Sequence, residues 1–284
     1  MTRIAITAAS GQLGSEIVKA VTEVVGSDQV VGLARTPSKG QFLGIEVRPG
    51  DYNAPTDLEN SLQGVDTVLL VSGMDEPEKR IGQHRNVITA AKNAGVGKIV
   101  YTSVQGAERQ NGFAPIVQSN RQTEEDIRNS GLQWVIGRNG IYVEPDIESI
   151  EAYKQRGEIV NCADDGKCGY TTRPELAYAY ARMLTESKHD GHVYNLHGES
   201  ITQQQLTEYL NATFNMDLRY RAVSVEEYRQ DRVAELGEFL GTVIAGIYEG
   251  IRNGAAGNES HYNLAAGRDH QSWQDYFDEL GSLT

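Results

Sequence analysis

The segment Thr7-Ala8-Ala9-Ser10-Gly11-Gln12-Leu13-Gly14 sets two glycines between a short apolar run and a helix-patterned stretch. Residues of these types at this spacing can hold phosphate. Gly11 offers backbone with no Cβ in the way of a pyrophosphate, and Gly14 lets a helix pack closely on the strand before it. The helix start adds unpaired N–H groups and partial positive charge. Thr7, Ala8, Ser10, Gly11, Gln12 and Leu13 are therefore candidate dinucleotide contacts. About twenty residues further on, a site for an unphosphorylated ribose usually carries Asp or Glu. Here Arg35 stands at that place, followed by Thr36 and Lys39. A planar guanidinium beside an ammonium suits a phosphate. The pair points to the 2′-phosphate of NADP, and so to NADP as the cofactor.

A site of this kind is positioned by a parallel sheet, and the chain has the pattern for one. Strand-like segments at 3–7, 29–34, 45–48, 67–71, 98–102 and 133–137 alternate with helix-like ones at 12–25, 54–62, 77–94 and 115–129. Repeated βαβ units predict an α/β fold, a doubly wound parallel sheet of Rossmann type. The unbroken apolar run Val68-Leu69-Leu70-Val71 suits a strand buried on both faces. After Arg138 the alternation stops. Residues 170–172 lead into a helix at 174–186, opened by Pro174. A last parallel strand is expected at 192–196. A smaller helix-rich region follows, from a helix at 202–214, with a strand near 218–222 and a Gly/Ala/Asn-rich loop at 253–260. The expected division is an NADP-binding domain at 1–145 and a mostly substrate-binding region at 146–284, with 170–200 returning to the first.

The bulk composition narrows the function. The 39% apolar share is enough for a sizeable core. A net charge of −13 without a basic stripe argues against nucleic acid as a partner. No apolar window is long enough to span a membrane, and no leader pattern opens the chain, so a cytoplasmic protein acting on a small molecule is expected. Cys162 and Cys168 make no framework and read as two reduced side chains. His189 and His192 flank Asp190 but are too few for a metal site, so no metal is expected. Whether the chain forms a homo-oligomer stays open.

Several further segments occur in a fixed order. They are Leu33-Ala34-Arg35-Thr36-Pro37-Ser38-Lys39, Gly50-Asp51-Tyr52, Gln83-His84-Arg85-Asn86-Val87-Ile88, Tyr101-Thr102-Ser103, Arg138-Asn139-Gly140-Ile141-Tyr142 and Thr172-Arg173-Pro174-Glu175-Leu176-Ala177. Together with the glycine turn they resemble the NmrA-like atypical short-chain dehydrogenases, in particular the bacterial NADPH:quinone oxidoreductase and triphenylmethane-dye reductase branch. The resemblance implies that Asp51 and Tyr52 meet the adenine edge. It implies that Val71, Ser72 and Gly73 lie along the pyrophosphate and ribose, and Thr102 and Ser103 near the nicotinamide. Met74 and the stretch 103–114, with Phe113, would line the substrate space. His84 and Asn86 read as a hydrogen-bonding pair under the sheet. The family pattern has a glycine where this chain has Ala8, which matters if that residue needs positive φ.

Most short-chain dehydrogenases protonate the substrate with Tyr-x-x-x-Lys. By alignment those places hold Ile116 and Asn120, and neither side chain can do acid–base work. Asn139 and Tyr142 are then the candidate catalytic residues, with Tyr142 as a substitute donor. The resemblance implies an NADPH-dependent oxidoreductase passing hydride to a quinone, a dye or an activated carbonyl compound. The alternative is a non-enzymatic NADP-binding regulatory module of the NmrA kind.

Overall fold

Apolar runs without polar alternation build the central sheet, and α-helices with one apolar stripe cover it. The computed structural model describes residues 2–283. The first half runs β1 (Ile4–Ile6), α1 (Gln12–Val25), β2 (Val30–Ala34), β3 (Glu46–Pro49), α2 (Pro55–Ser61), β4 (Thr67–Leu70), α3 (Pro77–Asn93), β5 (Lys98–Val104), α4 (Ala114–Arg128) and β6 (Gln133–Asn139). The rest runs β7 (Ile141–Tyr142), α5 (Glu144–Glu148), α6 (Ile150–Arg156), β8 (Glu158–Asn161), β9 (Cys168–Thr171), α7 (Arg173–Thr185), β10 (Val193–Leu196), β11 (Ser200–Ile201), α8 (Gln203–Phe214), β12 (Arg219–Ala222), α9 (Val225–Leu236), α10 (Glu238–Arg252), α11 (Tyr262–Ala266) and α12 (Trp273–Ser282).

Seven strands form one sheet in the order β10-β6-β5-β4-β1-β2-β3, and every pairing is parallel. This is the doubly wound α/β arrangement. The strand order reverses between β1 and β4, and ligands bind at such a switch point, outside the carboxyl ends of the strands. On one face α1 and α7 bury Leu13, Ile17, Val18 and Val21 against Leu176, Tyr180 and Met183, with Tyr262 of α11. On the other face the core joins Leu58 of α2 and Val87 of α3 to Ile99, Tyr101 and Ile136 of the sheet. Thus residues 173–196 return to the sheet after the chain has left it.

The remaining residues make a second core around Trp273, Phe277, Tyr170 and Leu206. It carries two small sheets, β11-β9-β7 and β12-β8. Pairing of β7 with β9 sets Tyr142 beside Thr171. Helix α10 contains Gly241, Gly246 and Gly250, poor helix formers in isolation. Packing explains two of them. A Cβ at Gly241 would stand 2.5 Å from the Val233 Cα of α9, and one at Gly246 would overlap the backbone of Gly112 and Phe113. The chain after β5 is therefore docked on α10. Cys162 and Cys168 are free and buried. Among the described residues no helix is long and apolar enough to cross a membrane.

Candidate active site

The glycine turn connects β1 to α1 with no side-chain cap and no acidic residue in the helix's first turn. Ser10, Gly11 and Gln12 are exposed, while the Leu13 side chain is buried, so Leu13 can offer only backbone. Uncapped N–H groups open to solvent fit a phosphate. A Cβ at Gly14 would overlap the Ala8 carbonyl, which makes glycine obligatory there. Ala8 itself sits at φ 48°, in the left-handed region. The glycine of the family pattern is the better residue for that backbone. Replacing it, Ala8→Gly, should relieve about 1 kcal/mol of strain. The expected result is a higher Tm with NADPH affinity kept or modestly improved, read by thermal melting and cofactor titration. A large loss of affinity would mean that the Ala8 methyl packs usefully.

Arg35 ends β2 in the open, and Lys39 lies exposed in the turn after it. Asp51 follows β3, and one carboxylate oxygen accepts from the Asn53 backbone and side chain at 2.9 and 3.1 Å. Two expected contacts turn inward instead. Thr7 is fully buried, and its Oγ1 accepts the Val71 N–H at 2.9 Å. The Tyr52 hydroxyl lies 2.5 Å from that oxygen and donates to the Val71 carbonyl at 2.7 Å. Both side chains point into the protein and tie the ends of β1 and β4 together. Asn86 reinforces this by donating to the Tyr52 carbonyl at 2.8 Å.

The chain after β4 rests on a buried polar layer. The Ser72 N–H donates to Thr102 Oγ1 at 2.8 Å, and the Gly73 N–H to His84 Nε2 at 2.9 Å. His84 Nδ1 lies 2.9 Å from Thr123 Oγ1, which itself donates to the Ser119 carbonyl. Since Nε2 accepts, the proton sits on Nδ1. Burial, helped by the Arg80 charge, pushes the His84 pKa down to about 3, so the ring stays neutral and holds the Gly73 loop. The Ser103 side chain also turns inward. It is buried and donates to Glu124 at 2.7 Å. Burial raises the Glu124 carboxyl, but the Arg138 hydrogen bond and the Arg121 charge outweigh it and leave the group below its ordinary range. Met74 stands out in solvent at 90% exposure, and Phe113 is buried against Gly106.

Asn139 and Tyr142, the two candidate catalytic residues, lie in hydrogen-bond contact. The Tyr180 hydroxyl donates to Asn139 Oδ1 at 2.6 Å, which fixes the amide. Asn139 Nδ2 then donates to Tyr142 Oη at 3.1 Å. That oxygen acts as acceptor in this bond, so its own proton is left for another group. Burial pushes the Tyr142 pKa up to about 12, against the opposing Asn139 hydrogen bond. The phenol keeps its proton at neutral pH and can serve as a donor. Arg173 lies over its ring, 5.8 Å from the centroid. Ile116 is half-buried, and Asn120 is wholly interior, with Nδ2 on the Ile116 carbonyl at 2.8 Å. Among the described residues no cluster of potential metal ligands exists.

Residues 8–187 match the family described as NAD(P)H-binding. The chain belongs to that family. It is 38% identical over 229 residues to Quinone oxidoreductase 2 of Escherichia coli (strain K12), with 79% of each chain covered. A crystal structure of an NADPH-dependent quinone oxidoreductase from Escherichia coli, complexed with NADPH, matches with a TM-score of 0.89 at 33% identity, over 98% of this chain and 99% of that one. The triphenylmethane reductase of Citrobacter sp., complexed with NADP(H), matches with a TM-score of 0.89 at 31% identity, over the same shares. This member of the NAD(P)H-binding family is an NAD(P)H-dependent oxidoreductase and stands with the NmrA-like reductases its segments resemble.

The buried polar side chains around the candidate site to which sequence reasoning assigned no role are Arg80, Gln83, Tyr101, Gln105, Glu124 and Tyr180. Arg80, Gln83, His84 and Val87 lie on the buried stripe of α3. Three polar residues at helical spacing on a stripe that must face the sheet were the available signal. Gln105 gave none. It is buried, with Nε2 on the Gly169 carbonyl at 3.2 Å and Oε1 without a partner.

Proposed function

We propose that this protein reduces a quinone, a dye or an activated carbonyl compound with NADPH. The observation that carries the acceptor class is the state of α4. Ile116 replaces the acid, and the Asn120 amide is locked into the interior. Without a strong acid, the acceptor must already be prone to take hydride, and quinones and cationic dyes are. The names of the Escherichia coli and Citrobacter relatives support the same class. When bound, NADPH supplies the hydride.

On this reading the backbone of Ala8, Ser10, Gly11, Gln12 and Leu13 cradles the pyrophosphate. Arg35 and Lys39 hold the 2′-phosphate, and Asp51 faces the adenine. Val71, Ser72, Gly73 and Thr102 line the path to the nicotinamide, with Thr7, Tyr52 and Ser103 supporting from beneath. Asn139 aims Tyr142, whose free proton assists where an oxygen gains charge. Residues 1–145 bind cofactor and 146–284 mostly shape the substrate space, in a cytoplasmic enzyme. The test is NADPH consumption against a panel of quinones, cationic dyes and plain ketones. Rapid turnover of the first two and slow turnover of ketones is expected. NADPH that binds and is consumed with none of them would favour the NmrA-type regulatory module instead.

A further inference from the structure

Arg80 is 6% exposed, and its Nε has no hydrogen-bond partner. Its Nη2 donates to Ser72 Oγ and, at 3.2 Å, to Asn120 Oδ1. Among the described residues no carboxylate is its partner. The nearby buried carboxylate, Glu124, is taken by Arg121, Arg128 and Arg138. Asn120 Oδ1 also receives the Tyr101 hydroxyl at 2.6 Å and Ser72 Oγ at 3.0 Å. Three donors thus converge on a carbonyl oxygen that has two lone pairs. Tyr101 Oη, 3.2 Å from Ser72 Oγ, shares the hydroxyl proton as a further partner, but no anion in the cluster balances the Arg80 charge. Burying such a charge is costly unless something completes it.

Tyr101 and Asn120 are wholly buried, whereas Ser72 is partly exposed. Ser72 lies at the carboxyl end of β4, bonded through its N–H to Thr102 of β5, next to the switch point. Its oxygen accepts from Arg80, while its own proton is given to the crowded Asn120 Oδ1 or to Tyr101 Oη and can be redirected to a ligand. We infer that Arg80 is a positioning residue of the cofactor site: it turns the Ser72 hydroxyl toward an acceptor oxygen of the nicotinamide-side ribose. The inference rests on NADP being the ligand of this cleft.

The test compares NADPH with adenosine 2′,5′-bisphosphate, which lacks the nicotinamide half. Binding of each is titrated to the wild type and to Arg80→Met, Arg80→Lys and Ser72→Ala, with thermal melts to confirm folding. Arg80→Met should weaken NADPH about tenfold or more and leave the bisphosphate within about twofold. Arg80→Lys should recover part of the loss, and Ser72→Ala should show the same selective loss, at least as large as that of Arg80→Met. Equal weakening of both ligands would mean a merely structural role and overturn the inference. So would unchanged NADPH affinity with a shifted KM for the acceptor, which would give the oxygen to the acceptor instead. A wild type that binds neither ligand would overturn the cofactor reading itself, and this inference with it.

Discussion

Arg35→Asp should lower the preference for NADPH over NADH, measured as the ratio of kcat/KM values, by about tenfold or more. Arg35 and Lys39 are exposed just after β2, and Rossmann sheets generally bind the adenosine-side ribose beyond that strand. A charge-assisted pair to phosphate contributes on the order of 1.5–3 kcal/mol, and the substitution also adds repulsion. The setting strengthens the effect. Asp75 has its carboxyl held below the ordinary range, first by the Gln83 hydrogen bond, then by Lys79, and in small part by the Arg35 charge. An ionised carboxylate already stands near, so a 2′-phosphate held there would depend on the cations that outweigh it. Equal use of both cofactors by the unmodified protein would contradict the assignment.

The second large effect is expected at Tyr142. Tyr142→Phe should cost about a hundredfold in kcat on a plain ketone and much less on a quinone. The ketone's developing alkoxide needs a donor, whereas a quinone's oxygen is stabilised by the ring and can take a proton from water. The hydrogen-bond order Tyr180 to Asn139 to Tyr142 leaves the phenol proton free for that donation. A loss above about a hundredfold on both substrates would make Tyr142 an essential acid. No loss on either would assign the proton to water.

Local rules made much of the cofactor half legible. The strand–turn–helix spacing placed Gly11 and Gly14, and the end of the next strand placed Arg35. Helix α1 runs over the expected residues because its buried positions Leu13, Ile17, Val18 and Val21 keep one stripe. Side-chain direction was less legible. Thr7 and Tyr52 face inward because each is needed to bridge neighbouring strand ends, a tertiary demand with no local sign. Ser103 had a sign: it shares the two-residue period of Tyr101, which faces α3 and α4, and so cannot share the face of Thr102. The region after Arg138 was hardest. Strands β7 and β11 have two residues each, too short for a period. Helix α10 carries glycines that lower its propensity, and packing against Val233 and the Gly112–Phe113 backbone explains two of them, Gly241 and Gly246.

The central claim is that hydride passes from NADPH to an acceptor on this protein. NADPH carrying deuterium at both positions of the transferring carbon, mixed with enzyme and a cationic triarylmethane dye, tests it directly, because a deuterium bound to the product's central carbon does not exchange with water. The account predicts one deuterium per dye molecule reduced, at that carbon, with NADPH consumed in equal amount. NADPH that is bound yet left unoxidised, or a reduced dye without the label, would contradict it.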